Sequence, residues 1–138
     1  LKLSKLKAIY KKDLRERNVG IFTRKKHNEY LEWKESHAGQ KWFSKFKSKS
    51  DEKSPGGESL NDLKKRASEI LEKIMKKEKG KNVLIMTHGK LKTMMLIYLL
   101  RKDNKKYHIN NTGISIINIK DNGNHRARLI NNLKHLSN

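Results

Sequence analysis

The sequence contains no cysteine. That excludes disulfides, zinc thiolates and cysteine nucleophiles, and it suits a reducing compartment, so a cytoplasmic location is expected. Long apolar runs are also missing. The longest, Met94 to Leu100, falls far short of the ~20 residues that cross a bilayer, and no continuous apolar stretch of the signal-peptide kind opens the chain. No membrane partner is therefore expected. No cluster of metal-ligand residues at telling spacing is visible, so neither a metal nor a cofactor is expected. There is no internal repeat. Acidic residues are scarce: 14 stand against 34 lysines and arginines in 138 residues, a formal net charge of +20. Such an excess attracts phosphate, whether in nucleic acid, on an anionic membrane or on a phosphorylated metabolite. The lysines are scattered rather than blocked, as on the solvated faces of a Lys-rich composition. No specific nucleic-acid partner is expected, although non-specific, salt-sensitive binding to polyanions is. Nothing in the pattern fixes an oligomeric state.

Hydrophobic residues make up 34% of the chain, low but enough for one core, and the length fits a single domain over residues 1–138. Leu6 to Tyr10 reads as a short strand and "KKDLRERNVG" as a polar loop. His27 to Ser36 has helical spacing, with Tyr30, Leu31 and Trp33 inward. Lys41 to Lys49 is basic and aromatic. Aromatics between lysines can stack on bases or enter a membrane interface; at helical spacing they also suit a core or a lid over a substrate. "KSPGGES", residues 53–59, is the strongest breaker. A long helix follows, with Ser59 as N-cap, Asp62 in a capping-box position, an apolar face from Leu60 to Ile74 and Gly80 as its stop. Asn82 to Met86 is a continuous apolar run of strand length, the kind buried on both faces of a parallel sheet. A helix over about Leu91 to Leu100, a strand through Ile114, Ile116 and Ile119, a "DNG" turn at 121–123 and an edge strand over Arg126 to Ile130 complete the chain. The class is α/β, with the sheet between helix layers.

The apolar run ends in "THG". In open α/β sheets ligands bind at the carboxyl ends of strands, and His88 sits at such an end. The backbone N–H groups of Gly89 and Lys90 open the next helix, where anions are attracted. A hydrogen-bonded structural histidine would fit the same place. Glu16, in "LRERNVG", is flanked by Arg15 and Arg17. Its carboxyl can protonate a leaving alcohol or take a proton from water, or simply pair with a neighbouring arginine. Arg17 can hold phosphate bidentately or stand as a surface charge. "GGES" works as a turn and helix cap, and a loop of this kind can also close over a substrate.

The order of these pieces carries more than any one of them. "L-x-E-x-x-x-G" (Leu14, Glu16, Gly20) is followed by "P-G-G-E-S" opening a helix with an internal Arg66. Next come an apolar run ending in "T-H-G", then "N-T-G-I-S" from Asn111 to Ser115, then a final strand running into "L-I-N-N-L-K-H-L". The series resembles the histidine phosphatase superfamily, the phosphoglycerate mutase-like enzymes, from about Leu14 to the end. The resemblance implies a three-layer α/β/α sandwich with a mostly parallel sheet. It implies phosphoryl transfer to a small phosphorylated substrate through a phosphohistidine, without a metal. It makes His88 the second histidine, which helps bind the phosphoryl group, with Gly89 as its partner glycine. It makes Glu16 the proton donor and Arg17 a substrate-binding arginine.

Members carry the nucleophilic histidine in "R-H-G" on the first strand, and no such tripeptide occurs in this chain. His27 follows Lys26 and His125 precedes Arg126, so neither fits. The helix after that strand, with a further phosphate-binding arginine, is absent or reduced to a stub before Lys12. In the family the R-H-G strand lies beside the strand that ends at His88, and its loss exposes strand edges and leaves a gap in the core. The chain also starts at Leu1 rather than Met, and the reading is of an N-terminally truncated enzyme. A naturally shortened, inactive phosphate-binding relative is the alternative. A second departure is Thr23-Arg24, where many members have a polar residue and Gly. Mutases usually carry long inserts that shield the phosphohistidine. The segment between Gly20 and Glu58 is short, so hydrolysis of a phosphomonoester is expected ahead of mutase-type transfer. A basic nucleic-acid-binding module is the remaining alternative, and no groove-reading motif supports it.

Overall fold

The computed structural model describes residues 7–101, 107 and 109–137. Among these residues, four helices and two strands run in the order α1 (His27–Glu35), α2 (His37–Phe43), α3 (Leu60–Lys77), α4 (Gly89–Leu100), β1 (Ile114–Asn118) and β2 (Arg126–Asn132). Short 3-10 turns lie at Lys12–Leu14, Gly20–Phe22 and Lys134–Leu136.

The α3–α4 pair holds the core. Ser59 caps α3: its Oγ accepts from the Asp62 N–H at 3.0 Å, and Asp62 Oδ2 accepts from the Ser59 N–H at 3.0 Å. This reciprocal bonding satisfies two amides that the helix itself cannot. The helix ends before Gly80, whose φ of 76° suits glycine. Leu63, Ala67, Ile70 and Leu71 of α3 pack on Leu91, Met95 and Leu99 of α4. Leu63 and Leu91 are fully buried, each contributing about 1.5–3 kcal/mol through burial. Leu14, Ile85 and Ile117 pack against the same cluster from outside the pair. They tie the first loop, the apolar run and β1 to it.

Aromatic contacts fix the second half of the N-terminal region. Phe22 is buried and meets Tyr30 and Trp33 of α1, with ring centroids 5.2 and 5.0 Å apart. Trp33 in turn meets Phe43 of α2 at 5.6 Å. Leu31, expected to face inward, is exposed. Trp42 Nε1 donates to the Lys53 carbonyl at 2.7 Å, and Lys45 lies over its ring at 4.9 Å. The basic aromatic stretch thus packs within its own helix pair and against the 52–58 loop.

The sheet differs most from expectation. β1 and β2 form an antiparallel pair, with Ile116 opposite Leu129 and Ile117 opposite Ala127 and irregular register between Ile114 and Ile117. The turn closes with the Gly123 N–H on the Lys120 carbonyl at 3.1 Å. A parallel sheet is not present among the described residues. Among the described residues the run over Asn82 to Met86 has no ladder partner, and Leu84 and Met86 are 73% and 84% exposed. Residues 7–10 form no strand either, and Ile9 and Tyr10 are exposed; Leu6 lies outside the described residues. The physical reason is common to both. A strand's backbone groups need a neighbour to bond, and β1 and β2, the two strands described, satisfy each other. No helix among the described residues is long and apolar enough to cross a membrane.

Candidate active site

Two loops interlock ahead of α3. Residues 13–20 run along residues 52–59, and the bonds between them alternate between backbone and side chain. Glu58 N–H donates to the Asn18 carbonyl at 2.8 Å, and Asn18 N–H donates to Glu58 Oε2 at 2.8 Å. Asn18 Nδ2 reaches the Gly56 carbonyl at 2.9 Å, Ser54 Oγ donates to the Val19 carbonyl at 2.6 Å, and Ile21 N–H donates to the Pro55 carbonyl at 3.0 Å. Gly20 lies at φ +61°, and a Cβ there would fall 2.0 Å from the Pro55 oxygen. Only glycine allows this approach.

Glu16 and Arg17 sit on this platform, both half-buried. Glu16 Oε1 accepts from the Arg17 N–H at 2.8 Å, which folds the carboxylate back over its own loop. Arg17 Nε donates to the Glu58 carbonyl at 2.8 Å and Nη2 to the Glu52 carbonyl at 3.3 Å. Its guanidinium is therefore held by the 52–58 loop rather than free at the surface.

The other side of the site comes from the apolar run. Thr87 Oγ1 donates to the Leu14 carbonyl at 2.8 Å, linking the residue before His88 to the residue two before Glu16. His88 is the N-cap of α4, with extended backbone (φ −106°, ψ 164°) and a solvent-exposed ring that makes no capping bond. Gly89 is the first helical residue, and a Cβ there would meet nothing within 4 Å. His88, Gly89 and Lys90 at the α4 N-terminus are all exposed. Further along α4, Lys92 Nζ donates to the Gly113 carbonyl, fastening the "NTG" turn to this helix, and burial pushes the Lys92 ammonium down from its ordinary pKa.

Beneath the Glu16 loop lies an ion pair whose role the sequence left unassigned. Arg66, only 9% exposed, faces Glu58 with Nε on Oε1 at 2.7 Å and Nη2 on Oε2 at 2.8 Å. Burial pushes the Glu58 carboxyl up, but bonds from Arg66 and the Asn18 N–H, with the charges of Arg66 and Arg15, outweigh it and hold the group below its ordinary value. The readable signal was position: Arg66 stands in the apolar stripe between Leu63 and Ala67, where a charge needs a partner. Among the described residues, no group of three or more His, Asp or Glu could hold a metal ion.

The loop that bears Glu16 and Arg17 and the segment that bears His88 thus meet beside the α3–α4 core. Residues 1–132 match the sequence profile of the histidine phosphatase superfamily (branch 1), and the chain belongs to that family. Over 113 residues it is 32% identical to the metal-independent phosphoserine phosphatase of Arabidopsis thaliana, an overlap of 79% of this chain and 44% of that protein. Bacillus stearothermophilus YhfR shares the fold, with a TM-score of 0.70 at 20% identity over 92% of this chain and 62% of that one. The chain thus spans less than half the length of the curated relative and about three-fifths of the solved structure.

Proposed function

We propose that this chain is part of a phosphomonoester phosphatase, a single histidine phosphatase-like domain whose R-H-G strand these 138 residues do not contain. In the complete fold that strand lies beside residues 82–88 and turns the open edge into a parallel sheet within an α/β/α sandwich. The nucleophilic imidazole attacks phosphorus and the P–O ester bond breaks. Glu16 gives its proton to the leaving oxygen, then takes one from the water that hydrolyses the phosphohistidine. His88, Arg17 and the N–H groups at Gly89 hold the phosphoryl oxygens as their charge redistributes.

The observation that carries this reading is the Thr87–Leu14 bond, which brings the His88 and Glu16 segments to one place. The named activity of the Arabidopsis relative makes phosphoserine the first substrate to try. The short stretch from Gly20 to Glu58 favours hydrolysis over mutase-type transfer. The missing tripeptide favours one second reading, a phosphate binder without turnover.

The test uses the 138-residue chain and the same chain with an R-H-G strand and its following helix added upstream. The expected result is negligible hydrolysis of phosphoserine and aryl phosphates by the first and clear turnover by the second. His88→Ala should abolish that turnover without loss of stability beyond about 0.5 kcal/mol, because the ring is exposed and caps nothing. Robust turnover by the 138-residue chain, lost in His88→Ala, would overturn the proposal. An inactive extended chain that still binds inorganic phosphate through His88 would support the binder instead.

A further inference from the structure

We propose that Arg66 and Glu58 are positioning residues: a buried clamp that sets where Glu16 and Arg17 point. This rests on the phosphatase reading for its consequence, but the clamp itself is carried by geometry.

The Arg66 guanidinium does more than pair with Glu58. Nη1 donates to the Asp13 carbonyl at 2.6 Å and to the Arg15 carbonyl at 3.0 Å, and Nη2 reaches the Glu16 carbonyl at 3.3 Å. One planar cation thus gathers three carbonyls of the loop that bears Glu16. Glu58 completes the arrangement from the other side. Its carboxylate holds Arg66 in a fork and takes the Asn18 N–H, and its backbone carbonyl takes Arg17 Nε. The residues immediately before and after the Glu16–Arg17 pair are therefore tied to the same two side chains.

The geometry suits arginine and not lysine. Only a fork of fixed N–H donors can meet a carboxylate and diverging carbonyls together. The pair is also poorly explained as a source of net stability. A buried ion pair roughly offsets its own desolvation and is weak evidence for stabilisation. The carbonyls it gathers belong to an irregular loop with few other internal bonds. What the clamp does is restrict that loop to one conformation. A proton donor displaced by about 1 Å can cost on the order of a hundredfold in rate, so a fixed loop has a chemical consequence.

The experiment has two arms. In the 138-residue chain, amide hydrogen exchange is followed by NMR for wild type, Arg66→Lys and Glu58→Gln. The expected result is exchange faster by about tenfold or more at Arg17 and Asn18, with the amides of the α3–α4 core unchanged. Unchanged exchange at Arg17 and Asn18 would overturn the clamp. So would uniform loosening of the core in both variants, which would make the pair a plain core element. In the extended, active chain, Arg66→Lys should lower kcat by about tenfold or more with KM within about twofold, and should move the limb of the kcat–pH profile that reports the proton donor. Unaltered kcat and pH profile would also overturn it. Should the extended chain be inactive in its wild-type form, the phosphatase reading fails, and the exchange arm alone decides the clamp.

Discussion

Single residues in this chain show where the backbone has been set by the fold rather than by the side chain. Arg24 lies at φ +69°, in the left-handed region that costs an L-residue roughly 1–2 kcal/mol. This is a conformation that glycine adopts without strain. Arg24 is exposed, and among the described residues it has no hydrogen bond or ion pair that would offset the strain. Arg24→Gly should therefore stabilise the chain by about 0.5–1 kcal/mol, the strain relief less the added flexibility of the unfolded state. Urea unfolding of the two proteins reads this directly, and a loss of stability in the variant would contradict it. Gly20 is the opposite case, because its φ of +61° is joined to a backbone contact that leaves no room for any Cβ. The departure at Arg24 was legible through the family resemblance. The clamp was not, because Arg66 meets Asp13, Arg15 and Glu16 across about fifty positions of sequence and Glu58 meets Arg17 and Asn18 across about forty.

At the scale of elements, legibility followed how local the stabilising bonds are. The start and stop of α3 are written in Ser59, Asp62 and Gly80, and the helix forms where they place it. α4 starts two residues earlier than its apolar pattern suggested, at Gly89, because His88 takes the N-cap. The run from Asn82 to Met86 has strand composition, but composition cannot supply a ladder partner. The α3 cap also makes a pH-dependent prediction. The Asp62 carboxyl is lowered from 3.8 to about 2, first by the bond from Lys53 at 2.8 Å and then by the Ser59 N–H. A carboxyl with a depressed folded-state pKa contributes its stability above its unfolded value. That contribution is lost as pH falls from about 4 towards 2. Solvent reaches the Asp62 side chain, 46% exposed, so the contribution is about 1 kcal/mol, discounted for screening. Thermal unfolding of wild type and Asp62→Asn should differ at pH 5 and converge by pH 2. A constant difference across that range would refute the assignment.

The whole molecule combines two properties that act against each other. Its net charge of +20 keeps copies apart. Its open edge invites them together: Val83, Leu84 and Met86 lie exposed on a segment that pairs with no strand among the described residues, and Ile114, Ile116 and Leu129 of the small sheet are exposed as well. Edges of this kind template pairing with another chain. Repulsion is long-ranged and screened by salt, with a Debye length of about 30 Å at 0.01 M and about 3 Å at 1 M. Burial of apolar surface is short-ranged and barely affected. Association should therefore grow as salt is added, the reverse of what charge-driven assembly would show. Sedimentation velocity of the 138-residue chain should give a monomer at low ionic strength and larger species towards 1 M sodium chloride. Leu84→Lys should suppress the larger species, since a lysine on an edge opposes pairing. The chain extended by the R-H-G strand should remain monomeric across the same range, because that strand would occupy the edge. Association that instead weakens with salt, or that survives both changes, would place the contact elsewhere on the molecule.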